Sequence, residues 1–206
     1  MIGVAISTHR RPHVLAQSLA GWAHAMPDLL VVTHDVTGEG VAATKNRGIA
    51  ALMDAGCEHL FLVDDDMHPT SPDALTRYAD DPEPHLMHCW GKSRLISDDG
   101  HYTTWTHPRG VMLYAHRSVV EAVGGMRTEF GRWGGEHVDW SRRIHAAGLT
   151  RHRYADLSDT RGLWHCEDYT RRTPSTVSAA ERQASEAHRH ALYEKYRGVV
   201  EFVDYR

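Results

Sequence analysis

Three apolar runs recur at roughly thirty-residue intervals in the first third of the chain, and the segments between them carry a helical period. In "IGVAIST" (2–8), Ile2, Val4 and Ile6 alternate with small residues, as a strand requires. Pro12 suits a first helical position, and Val14, Leu15, Leu19 and Trp22 follow at helical spacing. "LLVVT" (29–33) reads as a second strand. After "GEG", a second helix carries Val41, Ile49, Leu52 and Met53 and closes at Gly56, ahead of a third strand, "HLFLV" (59–63). Parallel strands need a long crossover, which a helix supplies. The order therefore predicts an α/β, Rossmann-like fold with a mixed, mainly parallel central sheet flanked by helices.

Later elements are spelled more weakly. Ser71 and Pro72 suit the start of a short helix through Tyr78. "RLISDDGHYTTW" predicts a hairpin about Asp99-Gly100, and "GVMLYAHR" another strand, followed by a short helix ending at Gly124 and Gly125. A helix is expected near 136–147, after "WGG". Ser178 and Glu181 form a candidate capping box for a last helix reaching about Tyr196. No Pro-, Gly- or Ser-rich linker divides the 206 residues, so a single domain over 1–206 is expected. No apolar run is long enough to cross a bilayer, and the N-terminus opens on a strand-like segment, which predicts a cytoplasmic protein without an integral membrane segment. Cys57, Cys89 and Cys166 are odd in number and lack CxxC spacing, so free thiols are expected in place of disulfides or a zinc knuckle.

The third strand runs straight into Asp64, Asp65 and Asp66. Adjacent carboxylates repel and raise one another's pKa unless a positive charge lies between them. In open α/β sheets ligands bind beyond the carboxyl ends of strands, where Thr8 to Arg11, Asp35 and the three aspartates all fall. Hard carboxylate oxygens suit Mg2+ or Mn2+, which take remaining ligands from water and phosphate. A divalent cation carrying a diphosphate would supply the positive charge. Continued strand geometry would put Asp64 and Asp66 on one side and Asp65 on the other, making Asp66 the metal ligand with Asp64 sharing it or holding a ribose.

"ISTHRRPHVLAQSL", "GVAATKNRGIAALMDAG" with "FLVDDDMHP", and "VGGMRTEFGRWGGEHVDWSRRIHAAG" resemble, in order, the successive motifs of nucleotide-sugar glycosyltransferases with the GT-A fold. The third resembles the "GG…WGGE" region of galactosyl- and N-acetylgalactosaminyl-transferases. The resemblance implies transfer of a sugar from a nucleoside diphosphate sugar to an acceptor hydroxyl, with Mn2+ or Mg2+ as cofactor. It places Thr8 and Arg11 around the nucleotide, Asp35 at the base, Lys45 and Asn46 near ribose and diphosphate, and Asp64 and Asp65 on the donor. His165, in "LWHCED", matches a late histidine that completes the metal site with Asp64 and Asp66. Many members carry a Glu-Asp pair after "WGG", whose Asp takes the acceptor proton. Here His137 follows Glu136, so either Glu136, His137 or Asp139 is the candidate base or transfer retains configuration and needs no base there; alternatively Asp139 pairs with Arg143 at i,i+4.

Residues 1–100 carry 7 Lys+Arg against 14 Asp+Glu, and residues 101–206 carry 16 against 13. The acidic half holds the donor motifs and the more basic half the "WGGE" stretch. The compact chain also resembles phage-encoded transferases that glycosylate hydroxymethylated bases in DNA. For such a polyanionic acceptor, Arg132, Arg142, Arg143, Arg151, Arg153, Arg171 and Arg172 are the candidate phosphate contacts. Two other classes compete. A sugar nucleotidyltransferase would be expected to open with a glycine-rich phosphate loop, and "STHRRPH" has no glycine. A non-catalytic sugar- or nucleic-acid-binding module would tolerate loss of Asp66.

Overall fold

The computed structural model describes residues 1–90, 94–132, 134–167 and 178–206. Trp133, Arg171 and Arg172 lie outside the described residues.

Strand β1 (Ile2–Thr8), helix α1 (Pro12–Trp22), β2 (Leu29–His34), α2 (Val41–Asp54) and β3 (His59–Asp64) follow the predicted order. β1 pairs in parallel with both β2 and β3. The sheet is then extended by two antiparallel strands, β8 (Met112–His116) and β5 (His85–Met87), in the order β2-β1-β3-β8-β5. Both faces of β3 are covered, which is why its sequence is continuously apolar. Leu60 and Leu62 face a core shared with Ile49, Leu52, Trp140 and Ile144, whereas Phe61 and Val63 face one shared with Trp22, Tyr78 and Trp164.

The remaining elements frame this sheet. β4 (Met67–Pro69) pairs with β10 (Trp164–Cys166), and β6 (Leu95–Asp98), β7 (Tyr102–Trp105) and β9 (Ala155–Leu157) form a second small sheet containing the predicted hairpin. Helix α3 spans Ala74–Ala79. It begins later than Ser71 because the Ser71 hydroxyl donates to the Asp73 carboxylate, closing a turn before the helix. Helices α4 (Arg117–Val123) and α5 (Glu136–Ala146) follow, and α6 (Ala179–Lys195) starts with the predicted capping box, Ser178 and Glu181 satisfying each other's backbone N–H. All three cysteines are buried and free. No helix among the described residues is long and apolar enough to cross a membrane.

Candidate active site

The loops after β1 and β3 meet at the carboxyl edge of the parallel strands. Strand geometry stops at Asp64, so the three aspartates do not alternate about the sheet. Asp65 turns inward and is wholly buried; its carboxylate accepts from the Thr8 hydroxyl at 2.5 Å and pairs with Arg11. The other arm of Arg11 reaches Asp66 at 3.3 Å. Burial pushes the Asp65 carboxyl up, although Arg11 and Thr8 oppose it. Burial also pulls the Arg11 guanidinium down, but the three neighbouring aspartates outweigh it and hold it above its usual value. Thr8 and Arg11, expected around a nucleotide, thus clamp the acidic loop, and Asp65, expected on the donor, is sealed beneath it.

Asp64 has a different partner. Its carboxylate lies 3.0 Å from the Lys45 ammonium, which is 1% exposed and also donates to the Gly110 carbonyl. Lys45 therefore links α2, β3 and the segment before β8, and its charge is closed in. Asn46 brackets the backbone of Met126, donating to its carbonyl and accepting from its N–H at 2.8 Å each. It ties α2 to the loop after α4 instead of facing a ribose. The Asp35 carboxylate accepts from the backbone N–H groups of Gly38, Glu39 and Gly40, which shapes the "GEG" loop and leaves it as an organiser of that loop in place of a base contact.

The Gly134-Gly135-Glu136 stretch closes the site from the other side. Gly134 and Gly135 have φ of 78° and 105°, left-handed values that L side chains rarely adopt, and they turn the chain into α5. The buried Glu136 carboxylate accepts from His137 Nδ1–H at 3.0 Å. Burial raises the Glu136 carboxyl, but His137 and Lys45 more than offset this and hold it below the usual carboxylate range. The His137 ring packs on Gly110, where a Cβ would stand 2.9 Å from Nδ1. Lys45 and Gly110 thus join Asp64 to the Glu136–His137 pair. His9 adds a second link, meeting the Asp35 carbonyl at 2.8 Å and Arg132 at 3.4 Å. Gly110 carries no signal of its own in the sequence, and His9 only its place between Thr8 and Arg11, since the fold brings their partners to them.

Two expected residues are elsewhere. Asp139, one turn along α5, points away from the pair: its carboxylate lies 3.0 Å from Arg143 and 3.3 Å from Arg127, all three buried. Arg143 further donates to the carbonyls of Val123 at 2.6 Å, Gly125 and Glu201. Asp139 is therefore a structural anchor and not a base. Asp139→Asn should lower unfolding free energy by about 3–5 kcal/mol, because two guanidiniums lose their buried counter-charge; urea denaturation measures it. His165 is set opposite His68 by the β4–β10 register, with ring centroids 4.8 Å apart, and its Nε2 bonds Glu167 at 2.8 Å. It does not join Asp64 and Asp66, and among the described residues no three His, Cys, Asp or Glu side chains form a metal cage.

Solved structures with this architecture are known. The catalytic domain of Drosophila beta1,4galactosyltransferase 7, in complex with xylobiose, aligns with a TM-score of 0.58 at 17% identity, over 90% of this chain and 79% of that one. The fold is GT-A. A mannosyltransferase from Pyrobaculum calidifontis, in complex with GDP-Man and Mn2+, shares this GT-A architecture with a TM-score of 0.59 at 14% identity, over 94% of this chain and 64% of that one. S. aureus TarS aligns at 0.59 and 12%, over 96% and 73%. Residues 95–167 match the family model described as the N-terminal domain of galactosyltransferase, a segment that runs from β6 through the "WGGE" turn to Glu167. No curated protein matches the chain.

Proposed function

We propose that this GT-A chain is a single-domain, metal-dependent glycosyltransferase that moves a sugar from a nucleoside diphosphate sugar to an acceptor hydroxyl. The observation that carries the reading is the convergence of strand-end carboxylates and the Glu136–His137 pair through Lys45 and Gly110. Supporting it, solved GT-A neighbours hold Mn2+ with UDP-Gal or GDP-Man.

The donor set fits a hard divalent ion. With Asp65 buried, Asp64 and Asp66 remain at the loop, and Asp64 is the more open, its side chain 29% exposed. Two carboxylates with phosphate and water completing the shell is the usual arrangement for Mg2+ and similar ions. Bound there, the ion would neutralise charge on the leaving diphosphate. Arg11 and Lys45 fix the two carboxylates in place.

His137 is the residue placed to take the acceptor proton. With its Nδ1–H donating to the Glu136 carboxylate, Nε2 is left as an acceptor and has no hydrogen-bond partner among the described residues. Glu136, kept ionised, orients the ring and stabilises the imidazolium that forms, as a carboxylate does for histidine in hydrolytic triads. The donor and metal motifs fall in residues 1–100 and the base in 101–206.

A nucleic-acid acceptor gains no support. Arg132 pairs with Glu181, Arg143 with Asp139 and Arg151 with Glu83, so three of the five described candidate phosphate contacts answer carboxylates of the chain itself. Calorimetry with UDP and GDP, in Mn2+ and in chelator, tests the donor reading. Binding that appears only with Mn2+ is expected, and equal affinity in chelator would overturn it.

A further inference from the structure

The segment leading into Glu136 and His137 meets the loop after β1 at one side chain. His9, between Thr8 and Arg11, has its Nδ1 2.8 Å from the Asp35 carbonyl and its Nε2 3.4 Å from the Arg132 guanidinium. Each partner has a single role. A carbonyl accepts and a guanidinium donates, so Nδ1 must carry the proton and Nε2 must offer a lone pair. Only one state of the ring, the neutral Nδ1–H tautomer, makes both contacts. The Asp35 carboxylate, 3.5 Å from Nδ1, favours the proton on that nitrogen. Arg132 gives its other amino group to Glu181 in the first turn of α6, at 2.8 Å, which leaves the second aimed at His9.

Two further observations show the loop and the segment braced against each other. Arg10 has φ of 54°, a left-handed value that costs a residue with a side chain and persists where its surroundings are fixed. Its neighbours are fixed on both sides: His9 is bound to Asp35, and Arg11 to Asp65 and Asp66. A Cβ on Gly40 would stand 2.9 Å from the Arg132 Cα, so the loop that Asp35 organises lies against the backbone at Arg132, four residues before Glu136.

Resting on the glycosyltransferase reading, we propose that His9 is a positioning residue: through its lone pair on Arg132 it registers the loop that clamps the acidic cluster against the segment that presents His137. The contact is one exposed hydrogen bond, so its expected effect is modest.

The test is histidine NMR on the full chain, labelled with 15N in the rings, for the parent, His9→Asn, His9→Gln and Arg132→Met. The signal that disappears in both His9 variants should be that of a neutral Nδ1–H ring. Asn keeps a donor for the Asp35 carbonyl but does not reach Arg132, whereas Gln carries an oxygen about where Nε2 stood. His9→Asn and Arg132→Met should therefore shift the His137 ring signals alike, the double variant no further than either, and His9→Gln less. Nucleotide released from UDP- or GDP-sugars in Mn2+ should fall about three- to tenfold at saturating donor in His9→Asn, with the donor KM and the unfolding midpoint near those of the parent, and His9→Gln should recover part of the rate. An Nε2–H or doubly protonated ring at His9, His137 signals unmoved by His9→Asn, additive effects in the double variant, or a normal rate in His9→Asn would each overturn the proposal. A parent that releases no nucleotide from any donor would count against the glycosyltransferase reading instead, because the ring signals test the His9 link without turnover.

Discussion

Exchange of Asp66 for Asn should leave the unfolding midpoint near that of the parent and remove nearly all Mn2+-dependent transfer. The substitution keeps volume and one oxygen, and its backbone carbonyl, which accepts from Glu167 N–H at 3.0 Å, is untouched. What it removes is one of two charges available to a divalent ion. Charge stabilisation by a metal on a leaving group contributes several kcal/mol, so a loss on the order of 10³-fold is expected. Released nucleotide, assayed across a Mn2+ series with UDP- and GDP-sugars, measures it. An Asp66→Asn enzyme that turns over normally would remove Asp66 from the metal site. Loss of the Arg11 contact at 3.3 Å is a small complication, since Arg11 keeps its stronger partner, Asp65.

His137→Asn carries the second large effect. If Nε2 accepts the proton, transfer should fall on the order of the 10²–10⁴-fold that general-base catalysis contributes, with nucleotide affinity unchanged. The acid limb of the pH–rate profile should disappear with it. Glu136→Gln should produce a related loss by a different route: an amide can donate to Nδ1 and leave the proton on Nε2, the tautomer that cannot act as base. Comparable rates in both variants and the parent would mean that the helix start does no proton transfer.

Much of the fold could be read because its signals are local. β1, β2, β3 and the two intervening helices announce themselves by periodicity, and the capping box at Ser178 depends on residues three apart. β5, β9 and β10 are three residues each, too short for a period, and exist only through partners far along the chain. The site divides in the same way. The aspartate cluster is visible as composition at a strand end, but which aspartate is buried depends on Arg11 and Thr8, more than fifty residues away. Lys45, which the resemblance places near ribose and diphosphate, is buried with Asp64 and the Gly110 carbonyl as its partners. Asp139 and Glu136 lie three apart on one helix, yet Arg127, from a loop, takes the first and His137 the second. The resemblance gave the GT-A fold, which the solved neighbours bear out, but it assigned Asn46 and Asp35 to ligand contacts where the chain uses them on its own backbone.

The anchoring of α5 also sets an order of events at the ribosome. The segment after α6 returns to the molecule at Val203, whose N–H donates to the Val123 carbonyl and whose carbonyl accepts from Gly125 N–H, while Glu201 meets both Arg127 and Arg143. Those contacts hold the loop and helix that present Glu136 and His137. The strand-end carboxylates, Arg11 and Lys45 lie within the first 66 residues, so the Arg11–Asp65 and Lys45–Asp64 pairs can form before the Gly110 carbonyl arrives to complete the surroundings of Lys45. The helix that carries Glu136 and His137 gains this anchor only with residue 203. Since domains synthesised at about 5–20 residues per second fold as they appear, the nascent chain has the acidic loop seconds before the segment around Val203 arrives to hold the start of α5.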